Sequence, residues 1–144
     1  NNAATIIHSF NFGNNISVLC FNIISINNII IGTDNGNIFK INIKSKSIEN
    51  IFKLSEPLPI HTMTIHNETN YCYFSFGTKY IGVFNLDDNT YLGKFNMTFS
   101  NHQTIINELR FINNNLWSIS DDNKVIIWYL EYLNDKNIPK SMND

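Results

Sequence analysis

The chain has 144 residues, of which 43% are hydrophobic and 15% charged, and it carries a net charge of −2 with a pI near 6.1. This composition lacks the signature of a disordered chain, and a domain of this length buries a sizeable core. The acidic balance and the scattered lysines argue against a nucleic-acid or membrane-surface binder, because such proteins usually present a basic face.

Short strand-like runs, separated by turn residues, follow one another along the whole chain. One run at 4–10 is followed by four runs between 16 and 54, four between 60 and 96, and three between 105 and 129. The tail, 130–144, contains Pro139 and no convincing strand. Turn signals recur about every ten residues, and this spacing of short strands predicts an all-β fold.

Three turn-and-strand segments, 33–41, 76–84 and 120–128, superpose without gaps and recur every 43 or 44 residues. Each has a polar turn, then a β-branched residue, then a large apolar residue at its end (Ile41, Phe84 and Trp128). A fixed period of this length indicates a repeat architecture, here with four strands per repeat. The Asn35-Gly36 turn of the first segment predicts a positive φ at one of these two residues.

The third segment resembles the end of a WD repeat, in which a Ser-x-Asp turn leads into a strand that ends in Trp. His102 stands where that family places the His of its Gly-His pair. The first two repeats match in pattern and period, although Ile41 and Phe84 replace the Trp and neither repeat has the His. The resemblance to the WD-repeat β-propeller family covers nearly the whole chain.

This resemblance implies an all-β, partial β-propeller of about three blades, each a four-stranded antiparallel sheet packed face to face on its neighbours. Segment 4–10 is expected to be the outer strand of a preceding blade. Segments 16–54 and 60–96 are expected to be blades, 105–129 an incomplete blade, and 130–144 a tail. We therefore expect a piece of a longer protein. Further blades of that parent chain, or a second copy completing a six-bladed ring, would cover the two open blade faces.

The resemblance also implies a hydrogen-bonded tetrad in the third blade, made of His102, Asp122, Trp128 and a strand serine, either Ser118 or Ser120. Its role is structural, because it satisfies buried polar groups on the loop, turn and strands that it joins. A catalytic triad of His102, Asp122 and Ser120 is the alternative. We favour the tetrad because the spacing of these residues belongs to the repeat.

Other residue patterns point to no chemistry. The carboxylate pairs Asp87-Asp88 and Asp121-Asp122 lie in turns, and the histidines and cysteines share no metal-ligand spacing. We expect no enzyme, no cofactor and no metal site. Cys20 and Cys72 form no disulfide framework, which favours a reducing compartment, the cytoplasm or alternatively the nucleus.

The predicted function is a protein-interaction scaffold that binds partner proteins or peptides through the loops at one end of its blades, with no nucleic-acid or membrane partner. The residues expected on this face are Asp34, Glu56, Lys79, Gln103 and Asp121. Its charges favour a weakly basic peptide. One alternative is a regulatory module of a larger enzyme such as a kinase, GTPase or ubiquitin ligase. Another is a lipid-headgroup binder, which would need paired basic residues on one blade edge, and the sequence shows none.

Overall fold

The computed structural model describes residues 3–95 and 102–130, and the backbone of 142–143. Every regular element in these ranges is a β-strand. The strands are β1 (Val18–Ser25), β2 (Asn28–Thr33), β3 (Asn37–Asn42), β4 (Ser47–Lys53), β5 (Ile60–His66), β6 (Tyr71–Phe76), β7 (Tyr80–Asn85), β8 (Thr90–Phe95), β9 (Ile106–Ile112), β10 (Asn115–Ser120), β11 (Val125–Trp128) and β12 (Met142–Asn143).

The strands form three antiparallel meanders, which we call blades 1, 2 and 3. Blade 1 is β1–β4, blade 2 is β5–β8, and blade 3 is β9–β11, each with consecutive strands side by side. The predicted all-β class with four-stranded antiparallel units is confirmed. Segment 16–54 contains the whole of blade 1, 60–96 the whole of blade 2, and 105–129 the three strands of blade 3.

The two ends of the chain differ from these units. Residues 4–10 form no strand with any described residue, and Ile7 is 95% exposed, so their strand stays a prediction that needs a preceding blade to pair with. The tail was expected to hold no strand, yet β12 pairs with Phe95 and Lys94 of β8. The outer strand of a blade offers unpaired N–H and C=O groups, which can bind an extended segment too short for any sequence pattern. Residues 131–141 and 144 lie outside the described ranges.

The same backbone hydrogen bond recurs in each blade. The turn between the second and third strands donates an N–H to the residue that leads into the first strand. Asp34 donates to Ser17 at 3.0 Å, Gly77 to Pro59 at 3.0 Å, and Asp121 to Ile105 at 3.4 Å. These turns and entry segments therefore lie together at one end of the blades, which we call the loop face.

The turn at Asn35-Gly36 has the geometry that the sequence predicts. Gly36 has φ +81°, and Asn123 at the equivalent position of blade 3 has φ 66°. A Cβ on Gly36 would lie 3.0 Å from the carbonyl oxygen of Leu58 and 3.1 Å from the Cβ of Leu54. Only glycine therefore fits here, because the loop that leads into blade 2 passes directly over this turn.

Blade 2 lies between the other two blades and is covered on both faces. One core cluster fills the interface with blade 1, around Ile38, Phe74 and Phe84, and a second fills the interface with blade 3, around Tyr73, Leu109 and Leu116. All six residues of β6 are buried. Burial on both faces explains why this strand is a continuous apolar run without alternation.

The outward faces of blades 1 and 3 remain open in the described chain. On β1, Phe21 is 65% exposed and Ile23 is 63% exposed. On β11, Val125 and Ile127 are exposed by 56% and 53%. These are the two apolar faces that an incomplete set of blades is expected to leave.

Candidate functional site

Polar side chains of blade 3 converge around a fully buried histidine. His102, 0% exposed, lies on the segment leading into β9, and Asp122 lies in the turn between β10 and β11. Ser118 is buried on β10, and Trp128 ends β11. The structure thus brings together four residues from the four parts of the blade that the predicted tetrad joins.

The hydrogen bonds of this tetrad form a continuous chain. His102 Nδ1 lies 3.0 and 3.1 Å from the carboxylate oxygens of Asp122, and its Nε2 lies 2.7 Å from Ser118 Oγ. Trp128 Nε1 donates to the same Oγ at 2.9 Å. A carboxylate only accepts, so Nδ1 carries a proton, and the Ser118 hydroxyl bonds both the imidazole Nε2 and, at 3.5 Å, the Ile126 carbonyl. No buried side-chain N or O atom in the described residues lacks a partner.

Asp122 is held in its ionised form. Burial raises the pKa of its carboxyl, but hydrogen bonds from the Gln103 N–H at 2.8 Å, from His102 and from the Lys124 N–H at 3.0 Å outweigh that effect. The net result is a pKa below the ordinary value. The carboxylate therefore caps both the loop before β9 and the turn before β11.

Ser120, the second candidate serine, plays a different part. Its hydroxyl donates to the Thr104 carbonyl at 3.2 Å and accepts the Asp122 N–H at 3.2 Å. It fixes the turn and makes no hydrogen bond to the imidazole. Trp128 is half-buried, with its ring packed edge-on against Phe95 at 5.4 Å between centroids.

Asp122, His102 and Ser118 have the connectivity of a catalytic triad, but the geometry gives the serine no access to a substrate. Ser118 is 0% exposed, and its oxygen accepts the indole N–H of Trp128. A nucleophile must reach the reacting carbon of its substrate. This arrangement therefore holds the strands of blade 3 together. Its Asp–His–Ser hydrogen bonds have the same connectivity as those that activate the serine of a catalytic triad.

Blade 1 carries a polar network that the sequence analysis missed. Thr33 Oγ1 donates to Asn35 Oδ1 at 2.6 Å, Asn37 Nδ2 donates to the same atom at 2.7 Å, and Asn50 Nδ2 donates to Asn37 Oδ1 at 3.0 Å. Asn35 occupies the position of Asp122 in the repeat. The signal was the register of the repeat itself, but asparagine is so common in this chain that these three residues do not stand out.

The five residues expected on the loop face all lie on its loops and turns, but several are engaged. The Asp34 carboxylate accepts the Ser17 N–H at 3.0 Å, and the Asp121 carboxylate accepts from the Asn107 amide at 2.5 Å. Glu56 and Gln103 are exposed, and Lys79 is half-buried. Two of the three carboxylates thus stabilise local structure, which weakens the charge argument for a basic partner.

Two lysines of different blades line one cleft, although the sequence shows no paired basic residues on any single blade edge. Lys53, which ends β4 of blade 1, and Lys94 of β8 in blade 2 line the same cleft between the two blades. The sequence did not show this cleft because its lining residues come from different repeats and the cleft forms only where the two blades pack.

The remaining candidate chemistry is accounted for by local structure. Asp87 accepts from the Asn70 amide at 2.7 Å, and Asp88 accepts the Thr90 N–H at 3.0 Å, so both carboxylates brace turns. Within 3–95 and 102–130, no three His, Cys, Asp or Glu side chains are grouped so as to hold a metal ion. The described part of the chain contains no helix long and apolar enough to cross a membrane.

Both cysteines are free thiols on the side of the core between blades 1 and 2. Burial raises the pKa of Cys20 to about 11, although a backbone hydrogen bond from Gly32 opposes the effect. Burial also raises the pKa of Cys72, which is fully enclosed. Neither thiol is therefore ionised near neutral pH. Because the reactive form of cysteine is the thiolate, both residues are expected to be unreactive there.

Comparison with known proteins identifies the fold. The chain matches no family model and no curated protein sequence. Among solved structures, the WD40 β-propeller domain of Doa1 matches with a TM-score of 0.63 and 15% identity, over 81% of this chain and 38% of that one. U3-55K matches with a TM-score of 0.62 and 19% identity, over 82% and 37%. A chain of a mitotic checkpoint complex matches with a TM-score of 0.57 and 14% identity, over 69% and 29%.

The chain thus spans less than two-fifths of the length of each of these propellers. Its three consecutive meanders, the face-to-face packing of blade 2 on both neighbours and the recurring turn hydrogen bonds agree with this match. By its fold, the described chain is a run of consecutive blades of a WD40-type, or WD-repeat, β-propeller.

Proposed function

We propose that the chain is a protein-interaction scaffold that binds partner proteins or peptides through its loop face. The observation that carries this proposal is the recurring turn hydrogen bond, which braces the loops of all three blades at one end. Exposed polar side chains from different blades, such as Glu56 on the loop into blade 2 and Asp121 in the turn of blade 3, project from these braced loops. Binding residues commonly lie on loops that a rigid scaffold positions.

Two further observations support a binding role without catalysis. The triad-like constellation of blade 3 is closed to substrate, because Ser118 is fully buried. One of the similar structures is a chain of a mitotic checkpoint complex, an assembly with other proteins. A scaffold role for this chain, including as a regulatory module within a larger enzyme, is consistent with both. The free, buried thiols support a reducing compartment, the cytoplasm or the nucleus.

The experiment compares two variants with the same change in net charge. The loop-face variant is Lys79→Glu, Gln103→Lys and Asp121→Lys, and the control at the opposite end of the blades is Lys44→Glu, Asn67→Lys and Glu68→Lys. Each is placed in the full protein, and partners are quantified by cross-linking and mass spectrometry in its own cells. The amount of each partner recovered with the loop-face variant is expected to fall about tenfold or more, because a few residues carry most of the binding energy.

The control variant is expected to keep those partners. The proposal is wrong if the loop-face variant keeps its partners while the control variant loses them. Glu56 is left unchanged in both variants so that the cleft between blades 1 and 2 remains intact.

A further inference from the structure

A cleft of about 530 Å³ opens between blades 1 and 2, next to the loop face. We call it the inter-blade cleft. Blade 1 and the following loop supply Phe52, Lys53, Leu54, Ser55, Glu56 and Leu58, and blade 2 supplies Phe76, Tyr80, Tyr91 and Lys94. This volume lies within the range of ligand-binding pockets. The aromatic and charged side chains of the cleft take part neither in the tetrad nor in the recurring turn hydrogen bonds.

The walls of the inter-blade cleft are aromatic and held in place by neighbouring rings. Phe52 packs on Tyr91 with 4.9 Å between centroids, and Phe76 packs on Tyr80 at 5.4 Å. Phe52 also contacts the buried Phe84 at 5.4 Å. Phe52, Tyr80 and Tyr91 are only half-buried, so part of each ring faces the cleft. Such a surface binds an apolar or aromatic side chain with little further ordering.

The charges of the cleft are positive on balance. Lys53 is exposed, and Lys94 places its Nζ 4.5 Å from the centroid of the Tyr80 ring. In the described residues neither lysine is part of an ion pair, and Glu56 is the only carboxylate that lines the cleft. The cleft is thus locally basic in a chain whose net charge is −2. Its complement is a ligand that carries carboxylates close to an apolar group.

We infer that the inter-blade cleft binds an acidic segment of a partner protein, with an aromatic or aliphatic side chain against Phe52, Tyr80 and Tyr91 and carboxylates beside Lys53 and Lys94. This inference rests on the proposed scaffold function and names the chemistry of one partner segment. It replaces the weakly basic peptide that the charges of the loop face suggested from sequence.

Two other classes of ligand fit less well. A lipid headgroup would use the two lysines but would leave the aromatic walls without a partner. Single-stranded nucleic acid would stack its bases, but its evenly spaced phosphates require a basic track. Here the two lysines share the lining of the cleft with the carboxylate of Glu56, and the whole chain is acidic.

The test uses the full 144-residue chain and fluorescence anisotropy of a short labelled peptide that alternates aspartate with phenylalanine. We expect saturable binding that weakens with salt. The variant Lys53→Glu with Lys94→Glu is expected to weaken binding about tenfold or more, because it turns attraction into repulsion at both positions. Lys44→Glu with Lys46→Glu, on the exposed turn between β3 and β4, makes the same change of charge and is expected to bind as the original chain does.

Unfolding is followed by circular dichroism for each variant, and Lys53→Glu alone, at an exposed position, provides a second variant if the double one is unstable. Equal affinity of the original chain and the Lys53→Glu variant would overturn the inference. Equal affinity for a peptide with alanine in place of phenylalanine would also overturn it, since a bare anion site would then suffice.

Tighter binding of phosphatidylserine vesicles or of oligouridylate than of the peptide would assign the cleft to lipid or nucleic acid instead. Any of these results leaves the loop-face experiment unaffected, because the variants of that experiment contain no residue of the cleft.

Discussion

His102 is the residue on which blade 3 depends most, because both of its ring nitrogens are bonded in a site with no access to water. Removing it leaves the Ser118 hydroxyl without its imidazole partner and the Asp122 carboxylate without its side-chain donor. A buried polar group that loses its partner costs the desolvation energy of that group.

His102→Ala is therefore expected to lower the free energy of unfolding by about 1–3 kcal/mol, as is Ser118→Ala, which strands both the imidazole and the Trp128 indole. The measurement is the midpoint of urea unfolding. His8→Ala at an exposed position is the matched control and is expected to leave the midpoint unchanged. Equal midpoints for all three variants would show that the tetrad contributes nothing.

The pH dependence of stability provides a separate test of Asp122. Its folded pKa lies below the ordinary value, so folding is stabilised by the ionised carboxylate. Because the pKa of Asp122 is lower in the folded than in the unfolded chain, its ionisation stabilises the fold. This stabilisation is complete above the pKa of the unfolded chain, about 4, and is lost as the pH falls through the pKa of the folded chain. We expect the melting temperature of the original chain to exceed that of Asp122→Asn near neutral pH, and this difference to shrink below about pH 4. A difference that does not change with pH would contradict this role.

At the scale of single residues, the sequence predicted which residues meet but not how they bond. The resemblance to a WD repeat implied that His102, Asp122 and Trp128 meet, while the choice between Ser118 and Ser120 needed the strand register of β10 against β11. Ser118 lies two residues along β10 from Leu116, the partner of Trp128 on β11, and its hydroxyl reaches the indole, whereas Ser120 ends the strand. The asparagine network of blade 1 shows that a turn of the same shape is stabilised by neutral amides.

The strand-turn-strand unit is the element that the sequence defines best. Its three copies carry different side chains in equivalent positions: Ser118 and Trp128 in blade 3 correspond to Phe74 and Phe84 in blade 2, both fully buried. Two phenylalanines thus fill the space that the polar pair occupies, as expected when both members of a buried pair change together. β12 was not predictable, because two residues carry no period.

The turn of blade 1 gives a prediction at this scale. Gly36→Ala is expected to lower the free energy of unfolding by about 2–4 kcal/mol, because it adds a positive-φ strain and a clash with the Leu58 carbonyl. Gly77→Ala, with φ +61° but only side-chain atoms 3.4 Å or more from its Cβ, is expected to cost about 1–2 kcal/mol. Thermal and urea unfolding compare the two, and a larger effect at Gly77 would contradict the account of this turn.

At the scale of the whole molecule, the described residues leave two apolar faces uncovered, on the outer sides of blades 1 and 3. Large exposed apolar patches mark interaction surfaces in soluble proteins. We expect further blades of the same protein or a second copy to cover them, and sequence reasoning reached this alternative from the number of strands. It could not choose between them, since both coverings bury the same side chains.

Light scattering on the isolated 144-residue chain tests these faces. We expect a mass above the 16.7 kDa of one chain, and a return to the monomer in the variant Phe21→Lys with Ile127→Lys. Asn67→Lys with Thr78→Lys adds the same charge at exposed polar positions and is expected to leave the association unchanged. A monodisperse dimer would show that a second copy covers the faces, whereas a heterogeneous aggregate would exclude a closed dimer. If the original chain is monomeric, the two faces do not drive self-association.

The central claim is that three consecutive blades pack face to face, with blade 2 between the other two. Nuclear Overhauser effects between aromatic rings measure this packing directly. Phe52 and Tyr91, 4.9 Å apart between centroids, report on blades 1 and 2, and Tyr73 and Phe111, 5.0 Å apart, report on blades 2 and 3. The account predicts cross-peaks for both pairs in the Phe21→Lys, Ile127→Lys variant. A folded spectrum that lacks either cross-peak would contradict it.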